Sequence, residues 1–107
     1  MSQKISKLNL KEKIILNAHL EAKSEEGADT LQGLLLAIKT NAEVAEPGCL
    51  TFRICRFKTL LMVFEEYENG DAARLHATSE AFKTFMSESK ELLAKPSSVA
   101  FYKEVTA

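Results

Sequence analysis

The chain has 107 residues, enough for one domain that buries roughly 65% of its unfolded surface but too few for two separate cores. Lys and Arg number 14 against 15 Asp and Glu, a net charge of -1, so no field draws nucleic acid or an anionic membrane to the surface. No apolar run approaches the roughly 20 residues of a membrane helix, and neither a nucleic-acid nor a membrane partner is expected.

Residues 1–12, MSQKISKLNLKE, are rich in lysine and carry only Ile5, Leu8 and Leu10 as scattered apolar points, so they read as an arm ahead of a domain over 13–107. The arm lacks the continuous apolar stretch and the small-residue cleavage site of a secretory signal, which points to a cytoplasmic protein. Lys13 to Ala22 alternates as a strand does: Ile14, Leu16, Ala18, Leu20 and Ala22 face one way, and Ile15, Asn17, His19 and Glu21 the other. Which of these faces lines a site is open at this stage. Ser24 to Ala45 repeats Leu31, Leu34, Leu35, Ile38, Ala42 and Ala45 at helical spacing, with Glu25, Glu26 and Asp29 near the positive end of the helix dipole. Glu46-Pro47-Gly48 ends that helix.

Cys49 to Phe57 reads as a strand with Leu50, Phe52 and Ile54 on one face, and Leu60 to Glu68 returns antiparallel after the Lys58-Thr59 turn. Six residues of extended chain hold Cys49 and Cys55 roughly 20 Å apart, far beyond disulfide reach, and neither has a partner at metal-ligand spacing. Asn69-Gly70 breaks the strand, and Asp71 is the expected N-cap of a short helix in which Ala72, Leu75, His76 and Ser79 share the inward face. Ala77-Thr78-Ser79 caps a second segment whose stripe is Phe82, Phe85, Met86, Ser89, Leu92 and Leu93, stopped by Pro96. Val99 to Val105 completes the chain as a strand.

Strand, helix, strand, strand, helix, strand is the split βαβ order of a ferredoxin-like α+β domain with one antiparallel sheet. Its helices lie on one side of the sheet. Leu60 to Phe64 is apolar on both faces, so the uncovered face calls for a second copy of the chain and a homodimer. On the helix side, Glu65 and Tyr67 point the same way from the end of one strand. A carboxylate, a phenol and the His76 imidazole can therefore converge.

The run Ala45-Glu46-Pro47-Gly48-Cys49-Leu50, followed by Glu65-x-Tyr67-Glu68 and then His76-x-x-Ser79-x-x-Phe82, resembles the antibiotic biosynthesis monooxygenase family of dimeric α+β barrels. The resemblance covers about Lys13 to Val105. It implies a ferredoxin-like protomer that pairs sheet to sheet with its twin, and a site between sheet and helices. Characterised members include cofactor-independent oxygenases that turn quinols or anthrones into quinones, and isomerases of sugar phosphates; more distant relatives degrade haem. By resemblance, His76, Glu65 and Tyr67 are the catalytic candidates. The chain departs from the pattern at Glu80-Ala81, where many members carry Pro-His, and Met86 stands where haem binding would want a histidine.

The expected activity is thus oxygenation of a quinol- or anthrone-type substrate without metal or flavin. His76 acts as base, Glu65 fixes its tautomer or position, Tyr67 and Asn17 orient ring oxygens, and Phe82, Phe85 and Met86 line the apolar part. One alternative is a proton-transfer isomerase of a small sugar phosphate, whose phosphate would need Arg53, Arg56 or Arg74 close by. The other is a non-enzymatic dimeric module, favoured if side chains fill the cleft.

Overall fold

In the computed structural model, which describes residues 11–106, the elements follow the order β1 (Ile14–Glu21), α1 (Glu25–Ala45), β2 (Cys49–Phe57), β3 (Leu60–Tyr67), α2 (Gly70–Ala77), α3 (Glu80–Glu88) and β4 (Ser98–Tyr102). The arm expected over 1–12 lies, apart from Lys11 and Glu12, outside the described residues. The four strands form one antiparallel sheet in the order β2-β3-β1-β4. This is the ferredoxin-like α+β arrangement, with the second helical region divided into α2 and α3.

Alternation along the strands decides which side the helices cover. Ile14 and Leu20 of β1, Phe52 of β2 and Leu61 and Val63 of β3 are buried. They share one face through the pairs Leu16↔Glu65, Ala18↔Val63, Leu20↔Leu61 and Phe52↔Glu65. Against that face α1 presents Ala28, Leu31, Leu35 and Ile38, and α3 presents Phe85; together they form the hydrophobic core. The opposite face carries Asn17, His19, Phe57, Leu60, Met62, Phe64 and Tyr102, and Phe57 is 69% exposed.

Helix ends follow local hydrogen-bond supply. The Ser24 side chain accepts from Gly27 N at 2.9 Å and opens α1, with Glu25 and Glu26 in the first turn where the dipole favours them. Asn69, not Asp71, caps α2: its side-chain oxygen accepts from Ala72 N at 2.9 Å, so the helix starts earlier than expected, at Gly70. Asp71 sits in the first turn and pairs with Arg74. The face that α2 turns inward is also displaced: Gly70, Ala73 and His76 are buried while Leu75, expected to face inward, is 55% exposed.

Three further expectations are corrected. The stripe through Leu92 and Leu93 is not helical, because α3 ends at Glu88 and the chain beyond it pairs with the end of β1, through Lys23 N to Leu92 O (2.9 Å), Ala94 N to Glu21 O (2.8 Å) and an Ala22↔Leu93 bridge. Main-chain groups used sideways in this way cannot also serve an i to i−4 ladder. The last strand stops at Tyr102, and Val105 projects from the sheet. Finally, β2 carries a bulge: Cys49 pairs with Tyr67 but Thr51 with Glu66, so Leu50 is the extra residue. Leu50 is therefore half exposed instead of continuing the face of Phe52 and Ile54.

Candidate functional site

At the end of β3 the helix-facing positions change character. Leu61 and Val63 are followed on the same face by Glu65 and Tyr67, both buried. Tyr67 O–H donates to Glu65 Oε1. The imidazole of His76 comes down from α2 onto this pair, its Nε2 at 3.6 Å from Glu65 Oε1 and its ring centroid 5.3 Å from that of Tyr67. Phe52 and Phe82 lean on the same ring, each with centroids 5.7 Å away. Only 5% of His76 is exposed.

The other ring nitrogen belongs to a residue that the sequence reading left unassigned. His76 Nδ1 lies 2.8 Å from Glu46 Oε1, and Asn41 Nδ2 donates to Glu46 Oε2 at 2.7 Å. Glu46 is the C-cap of α1, and its backbone is pinned on both sides: its N–H donates to Ala42 O and its carbonyl accepts from Cys49 N, each at 3.0 Å. Cys49 follows, turned toward the site by the bulge. Its thiol donates to Thr51 O at 3.7 Å and has the Tyr67 hydroxyl as a neighbour.

Gly48 makes this approach feasible. A Cβ there would meet the Cβ of Ala72 at 2.6 Å, closer than two carbons can stand, so a side chain would push α2, and His76 with it, away from Glu46. The motif Glu46-Pro47-Gly48-Cys49 thus supplies a carboxylate, a chain stop, a close contact and a thiol in four residues. Its functional signal lay in the order of those residues, while each alone passes as a helix terminator or strand start.

Burial raises the Glu65 carboxyl above its ordinary range; the Tyr67 hydrogen bond and the His76 charge oppose this, and Glu46 adds to it. Burial, then the Glu65 charge and hydrogen bond, push the Tyr67 phenol far above its ordinary value, so it stays a donor. The Cys49 thiol is pushed up to about 11 by burial and by the charges of Glu46 and Glu65, and it is protonated at neutral pH. Two hydrogen-bonded groups, Asn41–Glu46–His76 and Tyr67–Glu65, face each other across 3.6 Å in an apolar surround. Such an arrangement can accept, hold and return a proton without water.

Of the residues expected at the site, His76, Glu65, Tyr67 and Phe82 come together. Phe85 sits deeper, in the apolar cluster with Leu31 and Leu35. Met86 is turned outward and nearly half exposed. Asn17 pairs with Phe64 on the sheet face opposite the helices and donates weakly to Val63 O at 3.4 Å, so it does not meet His76. Arg56 is committed to Asp29 and Gln32 at the start of α1, Arg74 to Asp71, and Arg53 pairs with Phe64 on the outer face. No group of three or more His, Cys, Asp or Glu that could hold a metal occurs among the described residues.

The profile of the antibiotic biosynthesis monooxygenase family matches residues 14–88. The chain belongs to that family. Its fold recurs in a protein of Caulobacter crescentus CB15 described as a candidate antibiotic biosynthesis monooxygenase, with TM-score 0.82 and 21% identity over 92% of this chain and 94% of the other. It recurs in Rv0793 of Mycobacterium tuberculosis (TM-score 0.81, 22% identity, 90% and 98% covered). A conserved protein of Bacteroides thetaiotaomicron VPI-5482, described as a candidate oxidoreductase, has TM-score 0.75 and 14% identity, with 88% and 99% covered. No protein of curated function matches the sequence. In this family member the stretches that carried the resemblance, around Glu46, Glu65 and His76, are those that meet at one end of the sheet. No helix among the described residues is long and apolar enough to cross a membrane.

Proposed function

We propose that this family member is a monooxygenase that oxidises an electron-rich phenolic substrate of the quinol or anthrone class, using the His76 group to take up a proton and no metal or flavin. The observation that carries this reading is the convergence of His76, Glu65 and Tyr67 in an apolar surround, with His76 Nε2 3.6 Å from Glu65 Oε1, too far for a hydrogen bond and so free to accept a substrate proton. For an anthrone, loss of the proton gives a carbanion that can itself reduce O2; one oxygen atom ends as the new carbonyl and the other leaves as water. The chain's part is to exclude water, hold the proton and stabilise the anion, for which the Tyr67 hydroxyl, turned from Glu65 to the substrate, is the donor.

For access we assign the edge of β2, where a cavity of about 260 Å³ shares Cys49 and Phe52 with the surround of the buried group. Two other cavities, of about 410 and 440 Å³, lie at the opposite end of the sheet and between Lys13 and Lys103. Exposed Phe57, Leu60 and Tyr102 on the helix-free face support a homodimer formed sheet to sheet, and two free cysteines suit the reducing cytoplasm.

The test is oxygen uptake and quinone formation with a panel of anthrones and quinols, comparing wild type with a folded His76→Ala. We expect His76→Ala to lower kcat by about 100-fold or more, the range that a positioned acid-base group contributes. Turnover by the variant equal to wild type on every accepted substrate would remove the histidine from the chemistry. A second reading, a non-catalytic dimeric scaffold, is favoured by one observation: the imidazole is enclosed by Phe52, Tyr67 and Phe82, and none of the three cavities is lined by it. Wild type that consumes no oxygen above the uncatalysed rate with any member of the panel would establish that reading instead. The isomerase alternative loses support because Arg56 and Arg74 are engaged by acidic groups away from the imidazole.

A further inference from the structure

We infer that Glu46 is the positioning residue of this site: it holds the His76 ring as the Nδ1–H tautomer and so leaves the lone pair on Nε2, facing Glu65 and Tyr67. The inference rests on the monooxygenase reading for its kinetic consequence, but not for its structural content. It moves to Glu46 the task that the sequence assigned to Glu65.

The geometry separates the two carboxylates. Glu46 Oε1 is 2.8 Å from Nδ1, a hydrogen bond, whereas Glu65 Oε1 is 3.6 Å from Nε2 and is already occupied by the Tyr67 hydroxyl. A carboxylate has no proton to give, so the proton of the Nδ1 bond must sit on the ring whenever Glu46 is ionised, and a neutral ring then carries none on Nε2. Glu46 also stands where it is electrostatically disfavoured. It caps the negative end of the 21-residue α1, and the last turn offers no basic residue to compensate. What retains it there is the Asn41 amide on one oxygen and the imidazole on the other, which together fix the plane of the carboxylate and, through it, the plane of the ring.

Asn41 makes the inference testable without disturbing shape. In Glu46→Gln, the Asn41 Nδ2 donor keeps the new amide oxygen on its own side and turns the amide NH2 toward Nδ1. The ring must then accept at Nδ1 and carry its proton on Nε2. Exchanging the two groups, Asn41→Asp with Glu46→Gln, turns the new amide over, because the carboxylate introduced at position 41 needs a donor, and returns an acceptor to Nδ1. The experiment is heteronuclear NMR of the histidine ring nitrogens, with exposed His19 as the internal comparison, in wild type, Glu46→Gln and the double variant. We expect Nδ1–H in wild type, Nε2–H in Glu46→Gln and Nδ1–H again in the double variant. On a substrate that wild type accepts, kcat should fall about 100-fold in Glu46→Gln with KM within about twofold, and recover to within about tenfold in the double variant. Wild type already carrying its proton on Nε2, a tautomer unmoved by Glu46→Gln, or a reversed tautomer with undiminished kcat would each overturn the inference. Because the tautomer is read without turnover, a protein that oxidises nothing would defeat the proposed activity while leaving the Glu46 assignment to be decided by the spectra.

Discussion

The helix-facing side of β3 is one surface with two chemistries. Its first half, Leu61 and Val63, packs on Leu31, Leu35 and Ile38 in the core; its second half, Glu65 and Tyr67, packs on His76 and a Glu46 held by Asn41. Both halves are closed to water, so burial alone does not distinguish scaffold from site. The difference lies in how each responds to the loss of a group. An apolar side chain removed from the first half leaves a void, whereas a polar side chain removed from the second leaves its partner without a proton or an acceptor. The first half sets how firmly the protein folds, and the second how it handles protons.

The largest expected effect breaks the comparison on its apolar side. Leu31→Ala should cost about 2–5 kcal/mol in urea denaturation, since Leu31 is completely buried and α1 cannot collapse onto the gap without moving Glu46. A loss under about 1 kcal/mol would mean that this half is loosely packed.

The next effect sharpens the comparison on the polar side, through pH. Glu65 has an ordinary carboxyl pKa of 4.5 when unfolded and a raised one when folded, so the folded state keeps the proton longer. As far as this group is concerned, stability is greatest below pH 4.5, falls as pH rises above it, and levels once pH passes the raised folded value. Glu65→Gln should remove that part of the slope and be more stable than wild type, relative to the acid reference, at about pH 7, while turnover drops. A pH-stability curve identical to that of wild type would mean that folding does not alter the titration of Glu65.

The smallest effect lies on the far face. Asn17→Ala should leave KM and kcat within about twofold of wild type and stability within about 0.5 kcal/mol, because its side-chain hydrogen bond is long and it points away from His76. A large rise in KM would mean that substrate reaches the helix-free face of the sheet.

Much of the fold was legible because hydrophobic periodicity is a direct record of which face is buried. The α1 stripe, the β2–β3 hairpin and the convergence of Glu65, Tyr67 and His76 all follow from it. What could not be read depends on single hydrogen bonds or on one residue of register. Asn69 outcompetes Asp71 for the cap by reaching Ala72 N, and α2 then buries Ala73 and His76 while Leu75 turns out. Alternation in β1 shows that Asn17 and Leu16 face opposite ways, but not which of them looks toward the helices; the pairing of Leu16 with Glu65 decides that. Glu46 was hidden for a different reason. A charged residue beside Pro47-Gly48 satisfies every expectation of an exposed helix end, and only the tertiary approach of α2, permitted by Gly48, buries it.

The extra residue at Leu50 carries a lesson for anyone altering the link between α1 and β2. Were the bulge straightened with every residue kept, Leu50 would take Tyr67 as its partner and strict pleating would carry Cys49 to the solvent side and drag the cap of α1 out of step with α2, although Phe52 and everything beyond it could keep their partners. A slip of a single position there would therefore be silent in circular dichroism yet disconnect the imidazole from its carboxylate, making this one of few places where register, more than composition, encodes chemistry.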